Sequence, residues 1–200
     1  MQLVNTSARY GIVSQTLHWT IAALAVALIV MGKAGDIEAE AGNSLYFWHA
    51  SLGLLVLFLV LVRIVWRFVT PVPKHPATMP RLAGRAAAGL HFLFYILLVA
   101  LPLSGWLASS AEGAPVSFFG VATLPTWTLQ ASPAANTGVA EAGEGGEEFF
   151  EEAHEVLGNV LLLLVVLHAL AALKHHFVDK DDVLVRMLPQ SGKVARPSDR

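Results

Sequence analysis

Cysteine is absent from the chain. Its absence excludes disulfide staples, thiolate-held clusters and covalent haem attachment through a CxxCH motif. Charge is scarce too: Asp, Glu, Lys and Arg make up 14% of the 200 residues, where a soluble domain carries about 25%. Nor does one sign dominate, since 13 basic and 15 acidic residues leave a formal net charge of −2. A nucleic-acid partner, which calls for a basic excess, is therefore not expected. What fills the chain is apolar, with 55% hydrophobic residues and a mean hydropathy of +0.59. The opening ten residues are polar and lack the basic start and short apolar core of a cleaved leader. The first apolar segment is thus expected to stay in the protein.

A helix crosses the hydrocarbon core with about 20 predominantly apolar residues. Four stretches meet that length, at about residues 10–31, 45–69, 82–109 and 149–177. The first is the weakest, because Ser14, Gln15, Thr16 and His18 interrupt it. A short loop (32–44), a proline-rich loop (70–81) and a long loop (110–148) join them. Within the long loop, the Gly/Ala/Glu-rich stretch 131–148 reads as flexible. The expected fold class is all-α: a single integral membrane domain over 1–200, a four-helix bundle with residues 178–200 as a cytoplasmic tail.

Lys and Arg set the expected orientation. Arg9, Arg63, Arg67, Lys74, Arg81, Arg85 and the C-terminal Lys174, Lys180, Arg186, Lys193, Arg196 and Arg200 all fall on one side. The other side holds Lys33 alone, among Asp36, Glu38, Glu40, Glu112, Glu141, Glu144, Glu147, Glu148, Glu151, Glu152 and Glu155. Cytoplasmic loops carry the basic excess, so both termini are expected in the cytoplasm.

Ionisable residues inside spans are costly and mark function by default. His49 and His154 fall near the outer ends of the second and fourth spans. His18 and His168 fall at the inner level of the first and fourth. His154 and His168 are 14 residues apart, which brings both to one helix face, roughly 21 Å apart along the axis. Two cross-helix pairs stacked inside a bundle suit two haems b, each with both axial positions filled by imidazole. Such ligation leaves no open site for oxygen chemistry and favours electron transfer. Gly53 and Gly158 each lie four residues after a ligand candidate, where a porphyrin edge needs room. The position equivalent to them after His18 is Ala22. Arg63, 14 residues after His49, shares its face at the inner level and is a propionate partner there.

The bland alternatives are specific. A single buried histidine is more often a hydrogen-bonded core residue, and Arg63 could simply snorkel to the interface. Zinc or copper transport would bring Asp, Glu or Met ligands into the spans, whose cores hold almost none. His91 has no partner at its level among the assigned ligands and reads as a core or interface residue, with a quinone pocket as its other option. His75 reads as solvent-facing and His176 as interfacial. His175 repeats the ligand face seven residues after His168; as a ligand it would draw the inner haem into the headgroups, so it suits a proton or hydrogen-bond donor beside that haem.

Taken together, Arg9-Tyr10, Leu17-His18-Trp19, Trp48-His49 with Gly53, Arg63, Ala100-Leu101-Pro102-Leu103-Ser104-Gly105, His154 with Gly158, and His168 followed by His175-His176 resemble the bacterial cytochrome b561 family. Phe118-Phe119-Gly120 with Leu124-Pro125, and Leu184-Val185-Arg186-Met187-Leu188-Pro189, are similar to its free-standing, superoxide oxidase-like branch. The resemblance implies ligand pairs His18/His168 and His49/His154 and a quinone-site role for His175. It also implies a superoxide:ubiquinone oxidoreductase activity, in which a periplasmic electron reaches ubiquinone through both haems. The acidic outer loops depart from the basic residues expected there, and superoxide is an anion. Another small periplasmic donor, or a non-catalytic relay serving as the membrane subunit of a periplasmic dehydrogenase or hydrogenase partner, is the alternative. A haem-free transporter or structural protein is the third.

Overall fold

A computed structural model describes residues 2–34, 44–73, 79–126 and 140–188, and of residues 140–145 and 147 the backbone alone. Helices α1 (Ile12–Ala34), α2 (Ser44–Val69), α3 (Arg81–Ala111) and α4 (Ala140–Lys174) dominate it. Each is long and apolar enough to cross a membrane. Lipid offers backbone N–H and C=O groups no partners, so the segments close their hydrogen bonds internally as helices. Along the bundle α1 packs on α2, α2 on α3 and α3 on α4. Ile21, Val56 and Val60 are buried between the first three, flanked by Leu24, Leu28, Leu59, Ile64, Tyr95, Leu98 and Val99. Phe58, Val65 and Phe92 face outward; lipid tails solvate them as well as a core would.

The helix ends have local causes. The chain enters α1 through Asn5, whose Oδ1 accepts from the Gly11 N–H at 2.9 Å and from the Ser14 hydroxyl at 2.7 Å. Its Nδ2 donates to Thr70 Oγ1 at 3.0 Å, tying the N-terminal segment to the end of α2. Gly11 is required there, since a Cβ would lie 2.3 Å from the Leu3 carbonyl oxygen. This knot starts α1 at Ile12, two residues later than the apolar run alone implies. After α2, Pro71 and Pro73 forbid continuation.

Two regions depart from the sequence reading. The long loop contains a β-hairpin, β1 (Ser117–Phe118) paired antiparallel with β2 (Ala122–Thr123), turned by Phe119 and Gly120 at φ 50° and 73°. Ser51 of α2, fully buried, donates to the Ser117 carbonyl at 2.9 Å and accepts from the Phe119 N–H at 3.1 Å. The second departure is α4, which begins at Ala140 rather than 149, so 140–148 is helical. Glu141, Glu144, Glu147 and Glu148 load its first turns, where the helix dipole favours negative charge.

The chain beyond α4 is also folded, not a free tail, through residue 188. A π-helical turn, His175–Asp179, ends at Lys180 in the left-handed conformation (φ 54°). The chain then reverses, and a 3₁₀ turn, Val185–Met187, docks on α1. Gln15 Nε2 donates to the Arg186 carbonyl at 3.1 Å and Trp19 Nε1 to that of Met187 at 2.8 Å. Asp36, Glu38, Glu40, Lys74, His75, Lys193, Arg196, Arg200 and stretch 131–139 lie outside the described residues, as do the side chains of Glu141, Glu144 and Glu147.

Candidate functional site

The expected partners stand ring to ring. His49 of α2 and His154 of α4 have centroids 6.1 Å apart and planes 71° apart. His18 of α1 and His168 of α4 lie at 6.2 Å and 73°. Two imidazoles sharing one metal through a bond of about 2 Å each, with roughly 1 Å more from nitrogen to ring centre, have centroids about 6 Å apart. Both pairs meet that spacing. A Cβ built on Gly53 or Gly158 meets no atom within 4 Å, so neither position crowds the ring pair one turn away. The residues present fit a flat metallated ring at each level.

His154 is seated by α3. Its Nδ1 lies 3.0 Å from the Leu101 carbonyl and 3.0 Å from Ser104 Oγ, and Ser104 Oγ itself donates to Leu101 at 2.8 Å. With Nδ1 donating to a carbonyl, Nε2 keeps its lone pair for a metal. Gly105 makes the approach possible, because a Cβ there would stand 3.0 Å from Cε1 and 3.2 Å from Nδ1 of His154. His49 Nδ1 is buried and has no hydrogen-bond partner among the described residues. Sequence reasoning gave Ser104 and Gly105 no role beyond resemblance. Their signal was present: Pro102 inside a span, followed within one turn by Ser and Gly.

The other level is more crowded than expected. His91, taken from sequence as unpartnered, packs on His168 with centroids 5.4 Å apart. Its Nδ1 lies 2.6 Å from the Ala87 carbonyl. Phe94 covers His168 at 5.4 Å, and Trp19 covers His18 at 5.3 Å. Depth along the sequence did not place His91 beside His168, because spacing within α3 says nothing of how that helix is rotated against α4. Arg63 lies on α2, fourteen residues after His49. It lines an open cleft with Tyr10, Trp66, Arg67, Tyr95 and Met187. His175 stands apart from the ring pairs, with Nδ1 2.6 Å from Asp181 Oδ2. At the hairpin end, Lys33 pairs with Glu155 at 3.6 Å, the residue next to His154.

The sequence matches the family model for prokaryotic cytochrome b561 over residues 9–190. It is 35% identical over 198 residues to cytochrome b561 homolog 2 of Escherichia coli (strain K12), covering 96% of this chain and 97% of that one. It is 30% identical to the probable superoxide oxidase CybB of Yersinia pestis, over 91% of this chain and 97% of that one. A cytochrome b562 of Cereibacter sphaeroides is 31% identical, over 86% of this chain and 90% of that one. With four membrane-spanning helices and a match over nearly its whole length, the chain belongs to the prokaryotic cytochrome b561 family, haem b-binding multi-pass proteins of the bacterial inner membrane.

Proposed function

We propose that this chain is a di-haem oxidoreductase that takes single electrons from a periplasmic donor, superoxide by our reading, and delivers them to ubiquinone. One observation carries the proposal: two histidine pairs with matching centroid separations, 6.1 and 6.2 Å, at two levels of one bundle. His49 and His154 would hold the periplasmic haem b, and His18 and His168 the cytoplasmic one. Bound there, haem b would supply reversible one-electron chemistry. The protein's own part is orientation and shielding. Leu101 and Ser104 fix the His154 tautomer, and Trp19, Phe94 and His91 pack around the second pair. Arg63 offers a fixed cation to a propionate.

Superoxide as donor is supported by the similarity to the probable superoxide oxidase CybB of Yersinia pestis, and ubiquinone as acceptor by the resemblance to the superoxide oxidase-like branch. A second reading, the non-catalytic relay, is favoured by the Lys33–Glu155 pair. That contact engages the one basic residue of the outer loops, which an anion-collecting site would leave free. The deciding experiment is stopped-flow haem reduction by superoxide in the purified chain, with and without ubiquinone. Rapid reduction, followed by reoxidation when ubiquinone is present, is expected. A chain inert to superoxide that copurifies with a large periplasmic redox protein is instead the relay.

A further inference from the structure

A cleft opens where the N-terminal segment and Met187 meet the last turns of α2. Arg63, Trp66 and Arg67 line it from α2, Tyr95 from α3 and Tyr10 from the N-terminal segment. A ring of hydrogen bonds fixes its walls. Trp66 Nε1 donates to Ser14 Oγ at 3.0 Å, and Ser14 Oγ to Asn5 Oδ1 at 2.7 Å. Asn5 Nδ2 donates to Thr70 Oγ1 at 3.0 Å, and Thr70 Oγ1 to the Trp66 carbonyl at 2.6 Å. These donors satisfy one another, which leaves the two guanidiniums as the charged donors of the cleft.

Arg63 and Arg67 are one turn apart on α2 and share one side of it. Both are partly buried. Neither pairs with a carboxylate among the described residues, and no Asp or Glu lines the cleft. Like charges at this spacing repel, and an anion held by both removes that penalty. Arg67 stands over the Tyr95 ring, 6.0 Å from its centroid. The ring engages the face of the guanidinium and leaves its edge N–H groups for an acceptor. Space and position then narrow the choice of anion. The cleft is shallow: the space within it, about 20 Å³, holds about one water, so a whole small molecule does not enter. A phosphate can set one oxygen there and keep the rest of itself at the mouth. Arg67 lies in the last turn of α2, a helix long enough to cross a membrane. The mouth therefore opens where hydrocarbon gives way to lipid head groups.

We propose that this cleft binds the phosphate of an anionic phospholipid, with Arg67 as its principal donor and Arg63 as the second charge. Basic pockets between membrane helices take such head groups, and the guanidinium fork matches two phosphate oxygens at once. A guanidinium carries five N–H groups, so Arg63 can serve a propionate and the lipid from different edges. A zwitterionic lipid brings the same phosphate together with an ammonium that both guanidiniums repel, so the site selects by net charge. The head group touches α2, α3 and the N-terminal segment together, and it binds only where folding has assembled them.

The test is native mass spectrometry of the purified haem-loaded chain, delipidated and then titrated with phosphatidylglycerol or with phosphatidylcholine of the same acyl chains. A single phosphatidylglycerol per chain should bind in clear preference to phosphatidylcholine. Arg67→Gln should weaken it about tenfold, the loss of one charge-assisted hydrogen bond, with haem content intact. Arg67→Lys keeps the charge but not the fork, and its affinity should fall between the two. Arg85→Gln removes an exposed charge of α3 that does not line the cleft, and phosphatidylglycerol binding should not change. Inorganic phosphate at millimolar concentration should leave the lipid bound, because it lacks the acyl chains that hold a head group at the protein surface. Equal binding of the two lipids, unchanged phosphatidylglycerol affinity in both Arg67 variants, or an equal loss in Arg85→Gln would each overturn the proposal. Displacement by inorganic phosphate would overturn the lipid assignment and make the free anion the ligand.

Discussion

At His154 the chemistry is set by residues on another helix. The Leu101 carbonyl and Ser104 hydroxyl orient the ring, and the missing side chain of Gly105 leaves room for it. A Cβ at 3.0 Å from Cε1 is already tight, and β-branching would force the imidazole off its seat. Gly105→Val should therefore lower haem content from two per chain to one, read by pyridine haemochrome assay and redox titration. His49→Ala and His154→Ala should remove that same haem and spare the other. His18→Ala and His168→Ala should do the reverse, since truncation cannot replace an axial nitrogen. If His18→Ala and His154→Ala damaged the same haem, the pairing would be wrong. That these four histidines meet in two pairs was legible from spacing and depth. The seat of His154 was not, because nothing in the order of residues states which helix carbonyl will meet a ring 53 residues away.

The elements that close the bundle ends are short and individually weak. The hairpin β1–β2 has only two paired positions, too few to stand alone in water. Its stability is borrowed from α2 through Ser51, and Trp48 meets Phe119 with centroids 6.0 Å apart. Ser51→Ala leaves the Phe119 N–H and the Ser117 carbonyl without that partner, at a local cost of about 1–3 kcal/mol. Hydrogen exchange at residues 117–123 should rise while the helices keep their protection. Unchanged exchange would mean that the aromatic contact alone latches the hairpin. A long loop was legible here, but its hairpin depends on a serine 66 residues away, a distance that local patterning does not span.

In the proposed reading the periplasmic donor approaches the end of the bundle that carries Glu148, Glu151, Glu152 and Glu155. Lys33 is drawn to Glu155 at 3.6 Å, with both side chains partly exposed, so its field is partly cancelled beside His154. Salt screens exposed charges beyond about 8–10 Å. Haem reduction by superoxide should hence quicken or stay flat as ionic strength rises. Glu155→Gln, which frees the Lys33 ammonium, should speed reduction at low salt, measured as the second-order stopped-flow rate. A rate that falls with salt in the parent chain would mean that a positive field prevails despite the glutamates.

Composition and periodicity by themselves determined the membrane, the four helices and the two histidine levels. Each follows from one-dimensional quantities: apolar run length against bilayer thickness, and 14-residue spacing against the helical turn. Tertiary structure alone decided the contacts made across helices and loops. It put His91 on His168, Gly105 under His154 and Ser51 behind the hairpin. It also turned the segment after α4 back onto Gln15 and Trp19, which brought Asp181 to His175. The physical reason is common to all of them. A helix fixes its own residues' relative angles and rise, whereas its height and rotation against a neighbour are set only when side chains from both sides are packed together.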